Sequence, residues 1–278
     1  MNFITSLLLA LLGVFSGFLG GLLGVGGGII VVPVLILIFD LQARQAVGTS
    51  LVMIIFTALS STFAYQRQKR LDWKVGVMGA SVTVPGAAIG AYATNFFSSQ
   101  VLTIIFGIFL FFIAAFMFRR SYRTGNQGKK TRTQTTGKTG QLIWKRKLVD
   151  AYGGVFQYDA DMLSGLALLF FGGLASGFFG IGGGLIVVPI LMSVVGLPMH
   201  LAVATSMLTM IFTSVSGVAT HILLGDVLLE YAAPLVVGIV IGAQFGARTA
   251  KRLRSTSLER VFAAVVFVMG ILLIVTRL

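Results

Sequence analysis

The stretch Gly24-Val25-Gly26-Gly27-Gly28-Ile29-Ile30-Val31-Val32-Pro33 decides the fold, because it returns 156 residues later as Gly180-Ile181-Gly182-Gly183-Gly184-Leu185-Ile186-Val187-Val188-Pro189. Extended to 20–35 against 176–191, 10 of 16 positions are identical. Three consecutive glycines in apolar sequence make a poor helix interior, since glycine loses the most backbone entropy on folding. Bare backbone is therefore wanted at this point, twice. Only about a dozen apolar residues follow each glycine run, at 29–39 and 185–195, whereas a membrane crossing needs about 20. The pattern predicts a broken or re-entrant helix in each copy, which a bilayer tolerates only where it lines a protein-enclosed cavity.

Composition agrees with a membrane protein. The 278 residues are 56% hydrophobic and 10% charged, too apolar for a soluble domain of this size. The absence of cysteine excludes disulfides, thiolate metal sites and cysteine nucleophiles. The net charge of +13 does not point to nucleic acid, because the basic residues form short clusters between apolar spans, where topology signals belong. No Lys or Arg precedes Arg44, so the apolar N-terminus lacks the basic region of a signal peptide and reads as a mature span.

Apolar spans fall at about 3–23, 46–65, 75–93 and 101–118, and again at 163–179, 201–224, 231–247 and 261–274. Glycines at 13, 17 and 21 have the small-xxx-small spacing that lets helices approach closely. Residues 124–140 are Gly, Thr, Gln and Lys with almost nothing apolar and read as a basic linker. Trp144 and Tyr152 mark a short interfacial segment after it. The expected organisation is a first transmembrane repeat over 1–118, a basic cytoplasmic linker over 119–161, and a second repeat over 162–278. The repeat extends beyond the glycines: Ala46-Val47-Gly48-Thr49-Ser50 aligns with Ala202-Val203-Ala204-Thr205-Ser206 at the same offset of 156.

Charge orients the halves. The turn after the third segment is basic in the first half, Arg67 to Lys74, while its counterpart carries Asp226 and Glu230. The turn before the last span reverses this: 94–100 is uncharged and its counterpart holds Arg248, Lys251, Arg252 and Arg254. Opposite bias at equivalent turns predicts opposite orientation. With the basic clusters inside, 19 of 21 Lys and Arg are cytoplasmic and both termini lie outside. The expected fold is an all-α polytopic membrane protein of two inverted repeats, each with three full transmembrane helices and a broken or re-entrant hairpin. Inverted repeats with discontinuous helices belong to secondary transporters.

None of the eight acidic residues, and no Lys or Arg, falls mid-span, so the interior offers amides and hydroxyls rather than charges. A half-helix that begins at a triple glycine presents free N–H groups and a positive dipole end, and an oxyanion can approach glycine amides closely. The substrate-binding candidates are Gly26, Gly27, Gly28, Gly182, Gly183 and Gly184, with the hydroxyls of Thr49, Ser50, Thr205 and Ser206; these hydroxyls can instead bond a carbonyl one turn back. His221 is a candidate for proton coupling, although a histidine near a helix end is more often interfacial. No catalytic residue, metal ligand or cofactor is expected. Ser216 and His221, five residues apart, lie on different helix faces and make no nucleophile–base pair, so an enzyme is not expected.

The glycine blocks and the two Ala-Val-x-Thr-Ser blocks together resemble the sulfite exporter TauE/SafE family of membrane permeases. The resemblance covers nearly the whole chain outside 119–161. It implies transport of sulfur-containing anions, such as sulfite, sulfonates or sulfoacetate, across the cytoplasmic (inner) membrane by alternating access. The alternatives are an anion channel with the same site, and a transporter of another small anion such as a carboxylate. The expected partners are the small anion and the lipid bilayer, with no nucleic acid; a homo-oligomer is compatible with this reading.

Overall fold

The computed structural model describes residues 2–125, 143–250, 267, 268 and 270–272. It is mostly helical. The chain runs α1 (Phe3–Leu23), α2 (Gly28–Leu37), α3 (Ala43–Arg67), α4 (Trp73–Ala93) and α5 (Ser99–Gly125), then β1 (Ile143–Val149) and β2 (Val155–Asp161). It continues with α6 (Met162–Phe179), α7 (Gly184–Ser193), α8 (Met199–Leu223) and α9 (Leu229–Thr249). Among the described residues, α1, α3, α4, α6, α8 and α9 are long and apolar enough to cross a membrane. Helices α2 and α7 have ten residues each, matching the short arms expected after the glycine runs. Most of the expected span at 261–274 and most of the Thr/Lys/Gly stretch at 124–140 lie outside the described residues.

Glycine sets how closely the long helices pack. Gly13, Gly17 and Gly21 of α1 lie against the carbonyls of Leu235, Ile239 and Ala243 on α9, and a Cβ at Gly17 would stand 2.7 Å from the Ile239 oxygen. Gly238, Gly242 and Gly246 lie in turn against the carbonyls of Ala10, Val14 and Phe18. Residue numbers rise together along this seam, so the two helices are parallel. Helices α4 and α6 repeat the arrangement: Gly86 and Gly90 meet Phe170 and Leu174, and Gly173 and Gly177 meet Thr83 and Ala87. The first long helix of each half thus packs on the third long helix of the other half.

Helices α3 and α8 run antiparallel through the centre. Thr49, near the start of α3, accepts the N–H of Leu228, just beyond α8, at 3.1 Å. Thr205, near the start of α8, accepts the N–H of Asp72, just beyond α3, at 3.2 Å. One face of the molecule therefore carries the start of α3 and the α8–α9 turn, and the opposite face carries the α3–α4 turn and the start of α8.

Residues 143–161 depart from the expected all-helical chain with a plain linker over 119–161. They form an antiparallel hairpin with Trp144 opposite Ala160 and Arg146 opposite Tyr158. Alternation along β2 turns Phe156, Tyr158 and Ala160 inward, where Tyr158 and Ala160 join a core with Val75, Leu191 and Leu197. The hairpin is also tied down by charge. Arg146 makes two 2.9 Å bonds to the Asp72 carboxylate, and the Tyr158 hydroxyl donates to the same group. Asp72 caps α4 by accepting from the N–H groups of Lys74 and Val75. Arg70 pairs with Asp150 at 3.0 Å, and the Ala151 N–H reaches the Gln68 carbonyl. Burial pushes the Asp72 carboxyl up, but Arg146, Tyr158 and the cap amides outweigh it and hold the group below the usual carboxylate range.

Because the folded Asp72 titrates below its unfolded value, the stabilisation is complete at neutral pH and is lost as pH falls through the folded value. Arg146→Met should cost about 3 kcal/mol by leaving a buried carboxylate short of its cation. Tyr158→Phe should cost about 1.5–3 kcal/mol, the range for a hydrogen bond to a charged group. Thermal unfolding in detergent and hydrogen exchange over 143–161 measure both. Unchanged exchange in Arg146→Met would mean the ion pair does not hold the hairpin.

Candidate functional site

The two glycine turns share one geometry. Gly24, Gly26 and Gly27 have φ of +77°, +84° and +85°, and Gly180, Gly182 and Gly183 have +68°, +68° and +81°. These left-handed angles are costly for any residue with a Cβ. Gly24 and Gly180 cap the C-termini of α1 and α6, and Gly27 and Gly183 are the N-caps of α2 and α7. The turns lie against each other at mid-molecule. A Cβ on Gly28 would overlap the Gly180 carbonyl, and one on Gly184 would overlap the Gly24 carbonyl. Gly26 and Gly182 both face Ile54 and Met210, the middle residues of α3 and α8, themselves 156 apart.

Among the described residues, the N–H groups of Gly27, Gly28 and Ile29, and of Gly183, Gly184 and Leu185, have no hydrogen-bond acceptor. They are the orphan donors of two helix N-termini, at the positive ends of the helix dipoles. Among the described residues, no charged side chain is among the groups that press on either turn.

The four candidate hydroxyls are fully buried and are engaged crosswise between the halves. The Ser50 hydroxyl donates toward the carbonyl of Gly180 at 2.7 Å, and toward Val47 within its own helix at the same distance. The Ser206 hydroxyl does the same with Gly24 at 3.1 Å and Val203 at 2.8 Å. Thr49 and Thr205 accept the N–H groups of Leu228 and Asp72. The structure thus brings Ser50 and Ser206 to the carbonyl ends of the glycine turns, while the two threonines brace the loops after α8 and α3.

Two further serines escaped the sequence reading. Ser16 on α1 and Ser176 on α6 are fully buried, and a Cβ on Gly27 or Gly183 would lie 3.4 or 3.3 Å from the respective serine Cβ. The Ser16 hydroxyl bonds the Gly13 carbonyl at 3.3 Å, whereas the buried Ser176 hydroxyl has no partner among the described residues. At the offset of 156, Ser16 aligns with Gly172 and Ser176 with Gly20, so repeat matching hides them. His221 is also fully buried, with Nδ1 3.1 Å from Asp226 and Nε2 3.2 Å from the Gly177 carbonyl.

The two N-cap glycines differ in what an added methyl meets. At Gly27 it would stand 2.7 Å from the Ser16 backbone oxygen, which cannot yield; at Gly183 the nearest atom is 3.3 Å away. Both alanine variants bear the left-handed cost of about 1–2 kcal/mol, and Gly27→Ala bears the overlap as well. Gly27→Ala should therefore melt lower than Gly183→Ala in detergent. The reverse order would contradict this packing.

Comparisons with known proteins agree with this architecture. The family model for sulfite exporter TauE/SafE matches residues 9–273. The chain is 34% identical to the probable membrane transporter protein YunE of Bacillus subtilis, with 96% of each chain covered. A probable membrane transporter protein of Methanocaldococcus jannaschii is 26% identical, with 96% of this chain and 94% of the relative covered. No solved structure matches. With a family model spanning nearly its whole length and six helices fit to cross a bilayer, the chain is a multi-pass membrane transporter and belongs to the sulfite exporter TauE/SafE family.

Proposed function

We propose that the protein is a carrier of small sulfur-containing anions of the sulfite or sulfonate type across the cytoplasmic membrane. The observation that carries this reading is the meeting of two half-helix N-termini whose amides have no acceptor, and whose neighbours include no charged side chain, among the described residues. An oxyanion approaching Gly26–Gly28 and Gly182–Gly184 would be met by those amides, with Ser176 beside α7 as a further hydroxyl donor. Ser50 and Ser206 hold the turns, and Thr49 and Thr205 hold the loops that frame them.

In this reading the halves are inverted repeats. The antiparallel course of α3 and α8 supports it, as does the crosswise pairing of residues 156 apart. So does the α6–α7 pair, whose two ends meet where the Asp161 N–H reaches the Val195 carbonyl. Tight packing of the turns on Ile54 and Met210 favours a carrier over an open pore, because solute reaches the site only when the halves move. The basic face, with Arg67, Lys69, Lys74 and the hairpin, is cytoplasmic, and both termini are outside.

Two dipole ends supply about half a charge each, matching one negative charge better than two. In proteoliposome exchange, methanesulfonate should therefore outcompete sulfate at pH 7, and equal or tighter binding of sulfate would sink the site. Orientation is tested separately in the cysteine-free chain. Ser98→Cys should react with an impermeant maleimide in intact cells, and Tyr152→Cys should react only after permeabilisation; the opposite pattern would invert the topology.

A further inference from the structure

The last turn of α6 ends next to the second glycine turn, and its Gly177 carbonyl has lost its helical partner. His221 meets it through Nε2. A carbonyl oxygen only accepts, so Nε2 must carry a hydrogen. Nδ1 then faces the Asp226 carboxylate, and two acceptors confront each other there unless a second proton lies between them. The arrangement therefore holds one proton more than a neutral imidazole beside an ionised carboxylate. With that proton the pair is net neutral; without it, a net negative charge sits on the Asp226 carboxylate, which is mostly buried. From this geometry we infer that His221 and Asp226 form the binding site for a proton carried in the same direction as the anion, a deepening that rests on the carrier reading above.

The pair is placed to couple. Gly177 stands three residues before Gly180, about 4.5 Å along the helix, so the histidine anchors the turn that leads to the amides of Gly183 and Gly184. Asp226 also packs at the start of α3: a Cβ on Gly48 would stand 2.9 Å from the Asp226 carbonyl and 3.1 Å from the His221 Cβ. Leu228, two residues on, is held by Thr49. Loss of the proton breaks the Nδ1–carboxylate contact, frees this loop, and leaves an unbalanced negative charge beside the histidine that anchors the glycine turn. Anion and proton therefore favour each other's binding, and by linkage the effect is reciprocal. Few other titratable groups bear on the pair. Helix α6 has none, and α3 offers Arg44, whose guanidinium is bonded to Asn95 at 2.9 Å. Among the described residues, Asp40 before α3, Tyr92 of α4 and Glu230 and Tyr231 of α9 are the other titratable groups at this end.

The first half carries the contrast. Tyr65, 156 residues before His221, donates its hydroxyl to the Gly21 carbonyl at 2.7 Å, and Gly21 is the counterpart of Gly177. There the same carbonyl is met by a group with no carboxylate beside it in sequence register, since Arg70 stands where Asp226 would be.

The test uses the full chain in proteoliposomes containing a pH-sensitive dye, with labelled methanesulfonate, whose own charge does not change between pH 5.5 and 8. With the acid side outside by one pH unit, wild type should accumulate the anion about tenfold inside, with about one proton entering per anion. His221→Gln retains a donor for Gly177 but cannot hold the extra proton. This variant and Asp226→Asn should still exchange anion for anion, yet accumulate none. In gradient-free binding, wild-type affinity should rise as pH falls and the variants' should not. If wild type takes up methanesulfonate down its own concentration gradient without proton entry, or binds it equally at pH 5.5 and pH 8, the proton site is wrong while the carrier stands. If wild type exchanges neither methanesulfonate nor sulfite, the carrier reading itself fails. Should either variant fail to fold, the wild-type proton count and pH dependence decide alone.

Discussion

Two helices stop inside an apolar body, and each stop strands backbone groups that have no water to turn to. Leaving one such group unmet costs about 1–3 kcal/mol, so the arrangement persists only where partners are supplied. They are supplied on one side only. The carbonyls of Gly21 and Gly24 at the end of α1 are met by Tyr65 and Ser206, and those of Gly177 and Gly180 at the end of α6 by His221 and Ser50. Four acceptors have four side-chain partners. The N–H groups that open α2 and α7 have none among the described residues. The fold thus partners these stranded acceptors and keeps its stranded donors, which leaves two helix-dipole N-termini at the centre with no charged side chain among the described residues that press on them.

Much of this was readable from the offset of 156. It paired Thr49-Ser50 with Thr205-Ser206 and located both glycine turns, because those residues occupy equivalent positions in a duplicated scaffold. Repeat matching could not tell that each serine serves the opposite half, since crosswise contact depends on how the halves dock. Nor could it find Ser16 and Ser176, which stand one helical turn apart in the alignment yet reach equivalent N-caps. The hairpin was hidden for another reason. Its strands have seven residues each, and the Arg146–Asp72 and Arg70–Asp150 pairs that anchor it join residues 74 and 80 apart in sequence. A basic, Gly- and Thr-rich approach to the segment masked an alternation that acquires meaning only against Val75, Leu191 and Leu197.

Stiff and soft contacts are unevenly shared. The α1–α9 and α4–α6 seams bring backbone against backbone, with glycine at every point of approach, and such seams cannot shear without overlap. The contact between the two glycine turns is different: it is cushioned by Ile54 and by Met210, an unbranched side chain that adapts to a changed shape. Helices from different halves are therefore fused into two rigid pairs, and the deformable contact lies where those pairs meet. A carrier that exposes a central site to each side in turn needs that distribution.

The duplicated scaffold also ends its two central helices with different chemistry, and the difference falls where the two faces are sealed. After α3, the Arg70 N–H bonds the Tyr65 carbonyl and its side chain reaches Asp150 of the hairpin, so that turn is tied to a folded element by an ion pair. After α8, the equivalent backbone bond joins Asp226 to His221, but the Asp226 side chain turns back to the same histidine. One turn is held by an arginine paired with a carboxylate that lies below its ordinary range. On the proton-site proposal, the other is held by a contact that requires a shared proton. Equivalent backbone bonds with unlike partners would, on that proposal, give the two faces unequal responses to pH. That inequality is what would let a proton gradient bias an otherwise symmetric pair of gates toward one direction of transport.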